Sequence, residues 1–349
     1  MMWGIAGGII TVILLGCSTP AQDLKLSGMK PLDKQKGVHL ERIRDTTDMA
    51  FYKAHNIEWI TVISFAYQED YDSGELRHFR RDTARMLRRD SMRVNTLLKC
   101  KEAGLKTFFK PHIWIRDPSQ GKWRADIFPK GNADWLSWSE DYMEYIVRMA
   151  RLAERGEADM FCVGMELTAI AVNKPEFFRR VSAEVRKVYS GALTYGANWS
   201  ANIGEYEFWD AMDYMGIQAY YPLSKATHPT VEALNKGWKP HLNKLSKLYQ
   251  QHQKPIVFTE LGYKSTTSSA HEPWLWIQDD SQEYELSIET QSNCYEAFFD
   301  SVWPQPWMAG VHFWKMVTDY MGHDDMMENM DFTPQGKPTM EVIQEGFSR

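Results

Sequence analysis

The 349-residue chain holds only four cysteines, none in a C-x-x-C pair and none at zinc-binding spacing from a histidine. That excludes a disulfide framework and the common structural zinc modules, and it leaves Cys100, Cys162 and Cys294 as expected buried thiols. His39, His112 and His312 fall on separate candidate strands without His-x-His or His-Glu-x-x-His spacing, so no metal is expected. No G-x-G-x-x-G or G-x-x-x-x-G-K-[ST] follows any candidate strand, which removes the usual nucleotide signatures. Basic clusters and acidic runs are missing too. A net charge of −6 therefore carries no nucleic-acid footprint, and a neutral or polar ligand fits better. Internal repeats, linkers and composition breaks are likewise absent.

Acidic and basic residues are also lacking from Met1 to Gly16, where an apolar run from Ile9 to Leu15 is too short to span a bilayer. The run ends Leu14-Leu15-Gly16-Cys17, which resembles a bacterial lipobox with Cys17 as the lipidated residue. Residues 1–16 are then expected as a lipoprotein signal peptide and 17–35 as a polar tether. The mature chain would be anchored by lipid to a membrane of the bacterial cell envelope. A plain N-terminal anchor helix is the alternative.

What the sequence has in quantity is alternation. From Lys36 onward, short β-branched and aromatic segments alternate with helical ones. The expected strands are Gly37–Glu41, Glu58–Tyr67, Leu105–Ile115, Ala158–Glu166, Gly191–Asn198, Tyr214–Leu223, a stretch centred on Ile256–Thr259, and Met308–Lys315. Helices are expected around Asp48–His55, up to Gly104, over Asp134–Glu154, from Pro175 to Tyr189, over Thr230–Gln253 and Ser281–Trp303, and from Thr339. A short helix is expected at Phe208-Trp209, and a polar insertion at Glu69–Arg89. Eight strand-then-helix units predict one α/β domain over 36–349, a (β/α)8 TIM barrel, with an open doubly wound sheet as the alternative.

Functional side chains of such barrels cluster at the C-terminal ends of the strands. Those positions carry His112, Glu166, Asn198, Tyr220, Glu260 and Trp314. Gly164, Gly196, Gly216 and Gly310 precede four of them with the same parity and are expected on the inward face. Glu260 closes an apolar strand, where a carboxylate is costly unless it has a partner or a task. Two such glutamates across one barrel mouth suit glycoside hydrolysis, in which one carboxyl protonates the leaving oxygen and the other attacks the anomeric carbon or activates water. A structural ion pair is the alternative for either glutamate alone. Aromatic residues make up 13% of the chain and suit flat sugar faces, although packing accounts for most of them.

Val163-Gly164-Met165-Glu166-Leu167, Tyr195-Gly196-Ala197-Asn198-Trp199, Tyr214 to Leu223 and Phe258-Thr259-Glu260-Leu261-Gly262-Tyr263 together resemble glycoside hydrolase family 113. The likeness runs from Lys36 to Pro338. It implies a retaining barrel glycosidase acting on β-1,4-mannan or manno-oligosaccharides without a cofactor. By that resemblance Glu166 is the general acid/base, Glu260 the nucleophile, Tyr220 its hydrogen-bond partner and Trp314 the floor of the sugar site. His112, Trp123 and Arg124 are implied sugar contacts. Where many relatives of the clan carry Asn just before the acid/base to bind the sugar 2-hydroxyl, this chain has Met165, and Asn198 is the candidate for that contact. Two other readings stay open: a hydrolase of another β-linked sugar, and a non-catalytic glycan-binding barrel.

Overall fold

A computed structural model describes residues 33–40, 43–44, 47–77, 83–277, 284–318 and 325–349. The expected signal peptide, Cys17 and nearly all of the tether lie outside the described residues. Among the described residues, no helix is long and apolar enough to cross a membrane.

Eight parallel strands close into a barrel in sequence order, and β1 pairs with β8. They are β1 (Gln35–Leu40), β2 (Trp59–Gln68), β3 (Lys106–Ile115), β4 (Met160–Met165), β5 (Ala192–Asn198), β6 (Tyr214–Gln218), β7 (Ile256–Leu261) and β8 (Met308–Met316). Outside them stand α1 (Met49–Ala54), α2 (Thr83–Glu102), α3 (Gly131–Arg155), α4 (Thr168–Asn173), α5 (Pro175–Arg186), α6 (Val231–His252), α7 (Ile288–Ser301) and α8 (Thr339–Ser348). This is a (β/α)8 TIM barrel, not an open sheet. β5 is followed by two 3₁₀ turns, Ile203–Glu205 and Glu207–Ala211, instead of an α-helix. Phe208 and Trp209 from the second turn cover Tyr195 of β5, filling the space a longer helix would occupy.

Helix starts follow local chemistry. Asp48, Thr230 and Ser287 cap α1, α6 and α7 by accepting backbone N–H bonds, and Pro175 opens α5. The helix expected from Ser281 begins only at Ile288, because Thr267 and Ser287 bond to Glu285 and Ser265 and hold 285–287 against the loop after β7. The strand expected to reach Leu223 stops at Gln218. Tyr221 N–H bonds back to Ala219 O, which turns the chain out of the sheet. The polar insertion is also shorter than its charges suggested, since α2 begins at Thr83 and Arg85–Arg89 lie on that helix.

Cys100, Cys162 and Cys294 are buried free thiols. Burial also claims many of the aromatics, with Trp138, Trp209, Trp238 and Trp307 fully enclosed. Trp114, Trp123, Trp274 and Trp276 are exposed, all at or beyond the C-terminal ends of β3 and β7. Gly262 stands where these two features meet: a Cβ there would lie 2.0 Å from the Trp314 carbonyl, so only glycine lets the ends of β7 and β8 approach this closely.

Candidate active site

The site is built from strand ends. β7 is buried along its whole length, and its penultimate residue Glu260 is only 7% exposed. One carboxylate oxygen, Oε1, is paired with the Lys110 ammonium, and the other, Oε2, accepts a 3.0 Å hydrogen bond from the Tyr220 hydroxyl. Lys110 is fully enclosed in β3 and also donates to Thr259 O at 3.2 Å. Burial lowers the Lys110 pKa, and the Glu260 charge opposes that fall. A carboxylate with a cation on one oxygen and a phenol on the other is held in a fixed orientation.

Glu166 is made differently. The pairing of β4 with β5 shifts register between Cys162 and Met165, and Glu166 just beyond has φ +54°, in the left-handed region. Such a conformation costs a non-glycine residue about 1–3 kcal/mol and tends to persist where function requires it. The irregularity also corrects the parity expected from sequence. Gly164 faces outward, where a Cβ would meet Phe178 and Tyr195, while Met165 turns inward to pack with Trp59, Phe108, Met160 and Cys162. Gly196 and Gly216 do face inward, toward Thr259.

Asn198, the last residue of β5, donates from Nδ2 to Glu166 Oε1 at 2.7 Å. Its Oδ1 accepts from Ser200 N–H and Oγ–H, so both ends of the amide are engaged. Arg124 Nε lies 3.6 Å from Glu166 Oε2, and Arg124 Nη1 donates to His112 Nδ1 at 3.1 Å. Burial raises the Glu166 pKa; Arg124 opposes the rise, and the nearby Glu260 charge adds to it. Two buried carboxyls thus sit in contrasting environments: Glu260 is in direct contact with an enclosed ammonium and a phenol, whereas Glu166 has only the longer Arg124 contact and a pKa raised by burial, as suits a proton donor.

Of the sequence-predicted residues, Glu166, Asn198, Arg124 and His112 form one connected group, and Glu260 and Tyr220 form another. Trp314 lies over His39, with ring centroids 5.0 Å apart. Trp123 is 43% exposed on the loop after β3, with only its neighbour Arg124 reaching the carboxyl group. Among the described residues, no three His, Cys, Asp or Glu side chains converge as a metal site, and both ring nitrogens of His312 are occupied by Thr61 and Gln35. Sequence reasoning missed Lys110. Its signal was a lysine inside Phe108-Phe109-Lys110-Pro111-His112, sharing the inward parity of Phe108 and His112.

The Lys110–Glu260 pair gives a stability prediction. Lys110→Met leaves a buried carboxylate without its cation and is expected to destabilise the fold by about 3–5 kcal/mol. Adding Glu260→Gln to that variant removes the stranded charge and recovers part of the loss. Thermal denaturation of wild type, both single variants and the double variant completes the cycle. Strict additivity would show that the two groups do not interact.

The model of Glycoside Hydrolase Family 113 matches residues 35–337. A solved complex of a family 113 β-1,4-mannanase is 25% identical with a TM-score of 0.75, covering 92% of this chain and 99% of that one. A family 113 β-mannanase from Alicyclobacillus acidocaldarius in complex with ManMIm, 24% identical, gives a TM-score of 0.72 over 92% of this chain and 98% of its own. A Ruminococcus gnavus β-glucuronidase, 13% identical with a TM-score of 0.54 over 85% of this chain and 45% of its own, shares the fold alone. No curated protein matches the chain.

Proposed function

The chain belongs to glycoside hydrolase family 113 and is a glycosidase; from that premise we propose that it cleaves β-1,4-mannosidic bonds of mannan or manno-oligosaccharides by double displacement. The observation that carries this reading is the contrast between its two buried carboxyls, Glu260 paired with Lys110 and Tyr220, and Glu166 desolvated beside Asn198. Glu260 attacks the anomeric carbon and forms a glycosyl-ester bond as the glycosidic bond breaks, while Glu166 gives its proton to the departing oxygen. Glu166 then takes a proton from water, whose oxygen attacks the anomeric carbon and releases Glu260. Tyr220 and Lys110 hold the nucleophile in place through both steps. Asn198 holds Glu166, and Arg124 bridges Glu166 and His112.

Mannose as the sugar is supported by the named activity of the similar solved structures. The test is proton NMR of the first-formed product from defined β-1,4-linked manno-, gluco- and xylo-oligosaccharides. Hydrolysis of the manno series with the β-anomer appearing first is expected. An α-anomer first would remove Glu260 as nucleophile, and turnover of another series alone would replace the sugar.

Cys17 as a lipid anchor in the bacterial envelope belongs to the same proposal and rests on Leu14-Leu15-Gly16-Cys17. Wild type in the membrane fraction with Cys17→Ala released from it is the expected outcome; identical fractionation would remove the anchor.

A further inference from the structure

His39, on β1, is 2% exposed and belongs to no role described so far. Its Nδ1 lies 3.3 Å from the carbonyl oxygen of Phe313. A carbonyl only accepts, so Nδ1 must carry the hydrogen, and the neutral ring then presents a bare lone pair at Nε2. Burial, followed by the Lys110 charge, pushes the His39 pKa well below its ordinary value, in keeping with a neutral ring. Nε2 has no hydrogen-bond partner, and it stands 3.9 Å from Glu260 Oε1. Both atoms are acceptors, so they cannot satisfy one another.

The other site histidine is fixed in the opposite sense. His112 Nδ1 accepts from Arg124, which places the hydrogen of a neutral ring on Nε2 as a free donor. The site therefore offers one buried acceptor beside Glu260 and one buried donor beside the Arg124–Glu166 group. Stranded polar atoms of this kind are costly unless a ligand completes them.

A group that donates to His39 must sit beside the carbon that Glu260 attacks. Reacting atoms approach to about 3–3.5 Å, and the hydroxyl on the adjacent carbon of a sugar is then within hydrogen-bond reach of an acceptor next to the nucleophile. Two other candidates for that contact offer the hydroxyl no free acceptor. Met165 is apolar and packed inward, and Asn198 Oδ1 already accepts from Ser200 N–H and Oγ–H. We propose that His39 is a sugar-binding residue whose Nε2 accepts a hydrogen bond from the 2-hydroxyl of the saccharide unit bound over Glu260.

The inference rests on the glycosidase reading of the site but not on mannose as the sugar. It is tested with whichever aryl β-glycoside the wild type hydrolyses fastest, so sugar preference is settled by the wild type alone. The comparison uses that substrate and its 2-, 3- and 6-deoxy analogues, with wild type, His39→Leu and His39→Gln. On the parent substrate His39→Leu is expected to lower kcat/KM by about 10- to 100-fold. His39→Gln, which can place an amide oxygen near the Nε2 position, should lose less and guards against misfolding of the leucine variant. On the 2-deoxy analogue the three proteins should agree within about threefold, because the bond in question no longer exists. Equal losses on parent and 2-deoxy substrates, no loss on the parent, or relief confined to the 3- or 6-deoxy analogue would each overturn the proposal.

Discussion

Glu260→Ala is expected to lower kcat on manno-oligosaccharides by about 10⁴- to 10⁶-fold, the scale of loss seen when a covalent nucleophile is removed. The residue supplies the atom that bonds to the anomeric carbon, and no other carboxylate from β7 can take its place. Alanine also opens space beneath the sugar. Added azide can enter there, attack the anomeric carbon and expel an aryl leaving group in one inverting step. The expected product is the α-glycosyl azide, identified by NMR. Unchanged turnover in Glu260→Ala would remove the nucleophile assignment outright. Lys110 would then be an internal cation whose partner is structural.

The second large effect belongs to Glu166. Glu166→Ala should cost about 10²- to 10⁴-fold on substrates whose leaving group needs a proton. Aryl glycosides with acidic phenols should lose little in the first step, because such groups depart unaided. Azide now meets an intact glycosyl-enzyme and attacks it from the opposite face. The product is the β-glycosyl azide, the reverse of that from Glu260→Ala, and the same anomer from both variants would mean that the roles are misassigned. The pH profile gives an independent reading. Burial raises the Glu166 pKa, so the acid stays protonated, and competent, to a pH above the ordinary glutamate range. Activity of the wild type should fall as pH rises through that raised value. With an acidic phenol as leaving group, that basic limb should disappear in Glu166→Ala.

Much of the barrel was legible because its signals are local. The strand Ile256–Leu261 reads as buried on both faces from its β-branched and aromatic run, and the structure buries every one of its residues. Pro175 marks a helix start by its own chemistry. The misses are equally physical. Ala219, Tyr220 and Tyr221 suit a strand that reaches Leu223, whereas the observed end of β6 depends on a bond from Tyr221 back to Ala219. Counting alternate residues puts Gly164 on the inward face, and alternation fails where the register between β4 and β5 shifts.

The site divides the same way. Glu166 and Glu260 could be picked out from sequence because a carboxylate at the mouth of an apolar strand needs a reason to be there, and a barrel brings the ends of its strands to one face. Lys110 and His39 could not be assigned in this way, since their roles lie in what faces them across the barrel. Strand periodicity states which way a side chain points but not what it meets. By itself, therefore, the sequence determined the alternating units, the closed barrel they imply and the strand ends that carry carboxyls, all of which follow from composition and spacing along the chain. Only the tertiary structure decided that Lys110 joins Tyr220 on Glu260, that Asn198 and Arg124 share Glu166, and that His39 keeps a bare nitrogen beside the nucleophile. Those facts depend on distances between strands far apart in the chain, set by barrel closure and by one local shift of register.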